Sequence, residues 1–141
     1  MSANSPLNGL IIGIYQKNEI MNLITINEDE RGKYIEVFKI PGVGQISYAT
    51  SRPGAVRGNH YHKRKKEKFC VIEGEAKIRL RNRENNEAKE YLISGDEPEV
   101  IDVPINWTHN VQNIGKDELK LLIWANEIFN PDDRDTYAEP I

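Results

Sequence analysis

The stretch Gly54-Ala55-Val56-Arg57-Gly58-Asn59-His60-Tyr61-His62-Lys63-Arg64-Lys65-Lys66-Glu67, followed by Phe69-Cys70-Val71-Ile72 and Gly74, decides the reading of this chain. His60 and His62 are two residues apart, so on a strand both side chains leave from one face. The charged run Lys63 to Lys66 reads as a turn, and Glu67 at the head of the next strand can swing its carboxylate back to the pocket the histidines face. His109, the last of only three histidines, follows Pro104-Ile105-Asn106-Trp107-Thr108 at the start of another predicted strand. His60, His62, Glu67 and His109 together form a donor set for one divalent ion that leaves positions open for water or a substrate oxygen. Zinc, manganese, iron and nickel all suit it. A lone His-x-His would read as ordinary polar strand residues; four donors in register favour a metal.

Outward from this stretch the chain consists of short β-type runs and almost nothing at helical period. Strands are predicted over 22–27, 34–39, 45–51, 57–62, 68–73, 76–82, 89–93, 100–103, 109–113 and 119–124. In Lys77-Ile78-Arg79-Leu80-Arg81 the apolar and charged residues alternate, the mark of a half-buried strand. Pro41-Gly42, Pro53-Gly54, Glu73-Gly74 and Ser94-Gly95-Asp96 supply turns between the runs. The expected fold is all-β: a single-domain antiparallel jelly-roll barrel. Residues 1–20 read as an extension or edge strand, 21–129 as the barrel and 130–141 as an irregular arm.

With 141 residues there is room for one core and no second catalytic domain. Hydrophobic residues make up 38% and charged residues 29%, too apolar for a disordered chain. A net charge of −3 argues against nucleic acid as the main partner. The run Leu10 to Tyr15 is far shorter than the roughly 20 residues of a membrane span, so no membrane partner is expected. The single cysteine, Cys70, lies in an apolar run and is expected to be a buried free thiol, which fits a cytoplasmic protein.

The spacing resembles the two cupin motifs. Gly54, His60, His62, Glu67 and Gly74 match the first; Pro104, His109 and Asn113 match the second, with Asn106 and Pro98 where glycines are usual. More closely, the stretches Glu36-Val37-Phe38-Lys39, 44–54, 56–62 and Trp124 to Pro131 are similar to the C-terminal cupin domain of the bifunctional capsular polysaccharide assembling enzymes. That resemblance implies zinc and epimerisation at C3 of a UDP-linked 4-keto-6-deoxy-N-acetylhexosamine, followed by NADPH-dependent reduction in an attached domain. On this reading the chain carries the epimerase half, holds no NAD(P) site and hands its product to a separate reductase.

Arg57-Gly58-x-His60 is also similar to stretches of the nucleotide-sugar 3,5-epimerases and 3,4-ketoisomerases, where the arginine lies near the diphosphate and the histidine moves a proton. Strand alternation predicts that Arg57 faces away from His60, so this role requires a bulge. The expected catalytic residues are His60 or His62 as base and Tyr48 as donor, with barrel packing as the rival role for Tyr48. The expected substrate contacts are Arg52, Arg57 and Asn59. Exposed sheet edges argue for a homodimer. The readings that compete with a nucleotide-sugar epimerase or isomerase are a non-catalytic cupin that binds a sugar nucleotide, as a sensor or reductase partner, and an iron dioxygenase.

Overall fold

The structure, a computed structural model, describes residues 21–141. Its strands are β1 (Thr25–Asp29), β2 (Gly32–Ile40), β3 (Gly44–Ser51), β4 (Val56–Tyr61), β5 (Glu67–Glu73), β6 (Glu75–Asn82), β7 (Ala88–Ser94), β8 (Val100–Val103), β9 (Trp107–Asn113), β10 (Leu119–Ala125) and β11 (Tyr137–Ala138). They form a six-stranded sheet, β1-β2-β3-β10-β5-β8, and a five-stranded sheet, β11-β4-β9-β6-β7. Every pairing between neighbours is antiparallel. This is the jelly roll that the cupin resemblance implies.

Alternation explains which face of each strand is inside. On β6, Ala76, Ile78 and Leu80 are buried while Lys77, Arg79 and Arg81 face outward. Val71 on β5 and Leu119 and Leu121 on β10 meet them from the other sheet, giving a dry core at one end of the roll. The other end is lined by polar residues, and the site lies there.

All ten predicted strands occur. The first starts and ends later than expected, because an Asx turn sets its end: Asp29 Oδ1 accepts the Arg31 amide at 2.8 Å and closes the β1–β2 hairpin. The strand missed was β11, which lies inside the arm expected to be irregular and pairs with β4. Cys70 is a second difference. Phe69 and Val71 take the inner face of β5, leaving the thiol half-buried on the outer one. The expected extension, residues 1–20, lies outside the described residues. Among those described, no helix is long and apolar enough to cross a membrane.

Candidate metal centre

Three strands and one strand end bring the four predicted ligands together. β4 pairs with β9 so that His60 lies directly opposite His109, with ring centroids 4.8 Å apart. His62 follows just beyond β4, and its ring is 4.9 Å from that of His60. Glu67 opens β5 in the facing sheet, so the cluster joins the two sheets. One donor atom from each of the four residues lies within 4.8 Å of the others. Phe69 stands edge-on to His109, with centroids 5.6 Å apart, and walls the cluster off from the dry core.

The hydrogen bonds of two rings set which of their nitrogens face the cluster. His62 Nδ1 donates to the Asp135 carbonyl at 2.5 Å, and His109 Nδ1 donates to the Trp107 carbonyl at 3.0 Å. A carbonyl only accepts, so each Nδ1 carries a proton and each ring points its Nε2 inward. Those nitrogens face one carboxylate oxygen, Glu67 Oε1, at 3.0 and 3.3 Å. His109 Nε2 is buried without a hydrogen bond. Imidazole nitrogens and a carboxylate oxygen that converge so closely are a donor set that suits a divalent metal. Burial first, then His109 and His62, push the His60 pKa down to about 3, so this ring is neutral.

The cluster lies in a cavity of about 420 Å³. Its far wall comes from β2 and β3 as Tyr34, Glu36, Gln45 and Ser47, and its more exposed lining includes Asp29, Arg31, Lys65, Glu127, Phe129 and Arg134. Burial pushes the Tyr34 pKa up to about 12 against a hydrogen bond with Ser47, so the phenol keeps its proton. Glu36 is 9% exposed and pairs with Lys39 at 2.7 Å.

Arg57 does share the cavity with His60, and a bulge is the reason. Arg57 pairs with Val111, Gly58 with Asn110 and His60 with His109, which leaves Asn59 as the extra residue and restores Arg57 and His60 to one face. Gly58 at φ 99 makes the bulge feasible, because a Cβ there would sit 2.8 Å from the His109 carbonyl oxygen. Most of the Arg57 guanidinium is already engaged: Nε donates to Ser51 Oγ, and Nη2 donates to the carbonyls of Lys33 and Thr50.

Three expected site residues stand elsewhere. Tyr48 is on the outer face of β3, opposite Ile35 and Leu122, because its neighbours Ser47 and Ala49 take the inner face. Arg52 is off the cavity lining and caps the carbonyls of Asp29 and Glu30 at 3.0 and 2.6 Å. Asn59 is used by the bulge: its Oδ1 accepts from Asn110, and its carbonyl accepts the Glu139 amide. Tyr34, Glu36, Gln45 and Ser47 were missed. Their only signal was polar residues at alternate positions on two paired strands, masked by the more apolar outer set Ile46 and Tyr48.

The family model described as "Polysaccharide biosynthesis C-terminal domain" matches residues 27–137. The chain belongs to this family. The polysaccharide biosynthesis C-terminal domain of this protein is 38% identical over 115 residues to the UDP-2-acetamido-2,6-beta-L-arabino-hexul-4-ose reductase of Pseudomonas aeruginosa, a match that covers 82% of this chain and 31% of the relative. It is 25% identical over 124 residues to the spore coat polysaccharide biosynthesis protein SpsL of Bacillus subtilis, covering 81% of this chain and 82% of SpsL. Among solved structures, it matches the capsular polysaccharide assembling protein CapF of Staphylococcus aureus with a TM-score of 0.81 and 40% identity, over 86% of this chain and 35% of CapF. This member of the family thus spans about a third of the length of the reductase and of CapF.

Proposed function

We propose that this chain is a metal-dependent epimerase or isomerase acting, by enolisation beside the ketone, on a nucleotide-linked 4-keto-6-deoxy sugar or amino sugar in surface polysaccharide biosynthesis. The observation that carries it is the convergence of the His62 and His109 Nε2 atoms on Glu67, beside His60, on one side of a cavity whose other wall holds a protonated phenol and a carboxylate. The family and the names of the relatives support the substrate class, since the reductase is named for a UDP-linked sugar with a ketone at C4.

A hydrogen beside a ketone leaves readily only when charge on the ketone oxygen is stabilised, and a divalent ion held by His60, His62, Glu67 and His109 would supply that as a Lewis acid. The chain's own groups must then hold and move protons on two sides of the sugar ring. Neutral Tyr34 is a donor. His60, with so low a pKa, is a weak base and serves better as a neutral ligand, which leaves the Glu36 carboxylate as the acceptor facing the cavity. Zinc is the first choice of metal, the compartment that fits the free Cys70 is the reducing cytoplasm, and a separate reductase takes the product.

The test is incubation in deuterium oxide with UDP- and dTDP-linked 4-keto-6-deoxy sugars. We expect deuterium at the carbon beside the ketone, lost after metal chelation and restored by zinc. Tight binding with no exchange would reject catalysis and select a sugar-nucleotide binding module.

A further inference from the structure

The arm after the barrel reaches the same cluster from outside, at His62 and along the strand of His60. Asp135 is 3% exposed and acts in two directions. Its carbonyl accepts from His62 Nδ1 at 2.5 Å. Its carboxylate accepts the backbone amides of Lys63, Arg64 and Lys65 at 2.9, 2.9 and 2.7 Å. Those amides belong to the turn that joins His62 to Glu67, so one residue orients one ligand and shapes the approach to the next. The chain then runs antiparallel to β4, with Tyr137 opposite Tyr61 and Ala138 opposite His60, and the two tyrosine rings stack with centroids 5.3 Å apart. It ends in a second anchor. The Glu139 amide donates to the Asn59 carbonyl, and the Glu139 carboxylate accepts from Thr108 Oγ1, Arg81 and Arg83. Asn59 is the bulge residue before His60, and Thr108 immediately precedes His109.

We propose that residues 135–139 are a positioning strap for the metal centre, with Asp135 holding His62 in its Nδ1–H form and Glu139 tying the strap to the strands of His60 and His109. The inference rests on reading the tetrad as a metal site. A purely structural tail would bond to scaffold; this one bonds to an imidazole that has only one other nitrogen to offer. Partners of this kind fix the tautomer and direction of a ligand, and their loss typically weakens metal binding by about 10- to 100-fold. Asp135 is therefore a positioning residue, acting through His62 and the 63–65 turn.

The test uses the full chain stripped of metal, with zinc affinity read by competition with a chromophoric chelator and the tautomer of His62 read by nitrogen-15 NMR of the imidazoles. Asp135→Ala keeps the backbone carbonyl but removes the carboxylate that pins it to the 63–65 turn, so the carbonyl should drift from His62, weakening zinc binding by about 10-fold or more and loosening the hold on the Nδ1–H form. Asp135→Asn, which keeps an acceptor oxygen, should fall between it and the parent; if Asp135→Ala does not fold, this variant decides. Ile78→Val, remote in the core, controls for general destabilisation and should leave both readings unchanged. Folded Asp135 variants with the parent's affinity and the parent's His62 spectrum would overturn the strap. A parent protein that binds no zinc would overturn the metal reading itself, an outcome visible before any variant is compared.

Discussion

Tyr34 and Tyr48 are both tyrosines on adjacent strands of one sheet, and the direction of the side chain alone separates them. Tyr34 faces the cavity, where burial holds its phenol protonated up to about 12, while Tyr48 faces the other way. Because an ordinary tyrosine ionises near 10, the native state keeps above that pH a proton that the unfolded chain releases. Stability should therefore be lost as pH rises from about 10 to 12, and Tyr34→Phe should flatten that loss. Denaturant midpoints across this range, beside a tyrosinate absorbance titration, check it. In the deuterium assay, Tyr34→Phe should keep exchange at the carbon beside the ketone but slow inversion by about 10²- to 10⁴-fold. A variant that inverts as fast as the parent would remove Tyr34 from the reaction.

Among the elements, the β4 bulge decides whether Arg57 and His60 share the cavity. A regular β4 would turn Arg57 away from the cavity that His60 faces; the extra residue Asn59, at φ 59, keeps both inside. Gly58 cannot take a side chain without pushing β4 from β9, where His60 and His109 pair. Gly58→Ala should cost about 1–3 kcal/mol of stability and weaken zinc binding as well. Thermal unfolding with and without zinc measures both, and a variant as stable as the parent would show that the strand can adjust. In the loop before β9, Asn106 shows the same economy of backbone. At φ 63 it adopts the left-handed conformation for which the cupin pattern uses glycine, and asparagine is one of the few residues that tolerates it.

For the whole molecule, the outer face of the six-stranded sheet carries an apolar row that no other element covers among the described residues. Ile26, Ile35, Tyr48, Leu122, Cys70 and Val100 lie directly opposite one another in a row that crosses all six strands. Ile26 is 59%, Leu122 39% and Val100 60% exposed. We expect a homodimer to form across this row, which would take its exposed apolar side chains out of water. Light scattering at micromolar concentration should give twice the monomer mass, and Leu122→Glu should give a monomer with an unchanged β-type circular dichroism spectrum. A monomeric parent would reject the dimer.

The ten barrel strands, the all-β class and the grouping of His60, His62, Glu67 and His109 were legible from residue order, because alternation, turn residues and the His-x-His spacing are local signals. Which face of β3 turns inward was not, since its cavity face is the polar one and apolar alternation points the wrong way. The return of the β4 bulge to register, the Tyr34 and Glu36 wall and the arm's grip on His62 depend on contacts between residues far apart in the chain. Asp135 and His62 are separated by 73 positions. Only the packing of the arm against β4 brings them together, because a hydrogen bond made by closing so long a loop leaves no local trace in the chain.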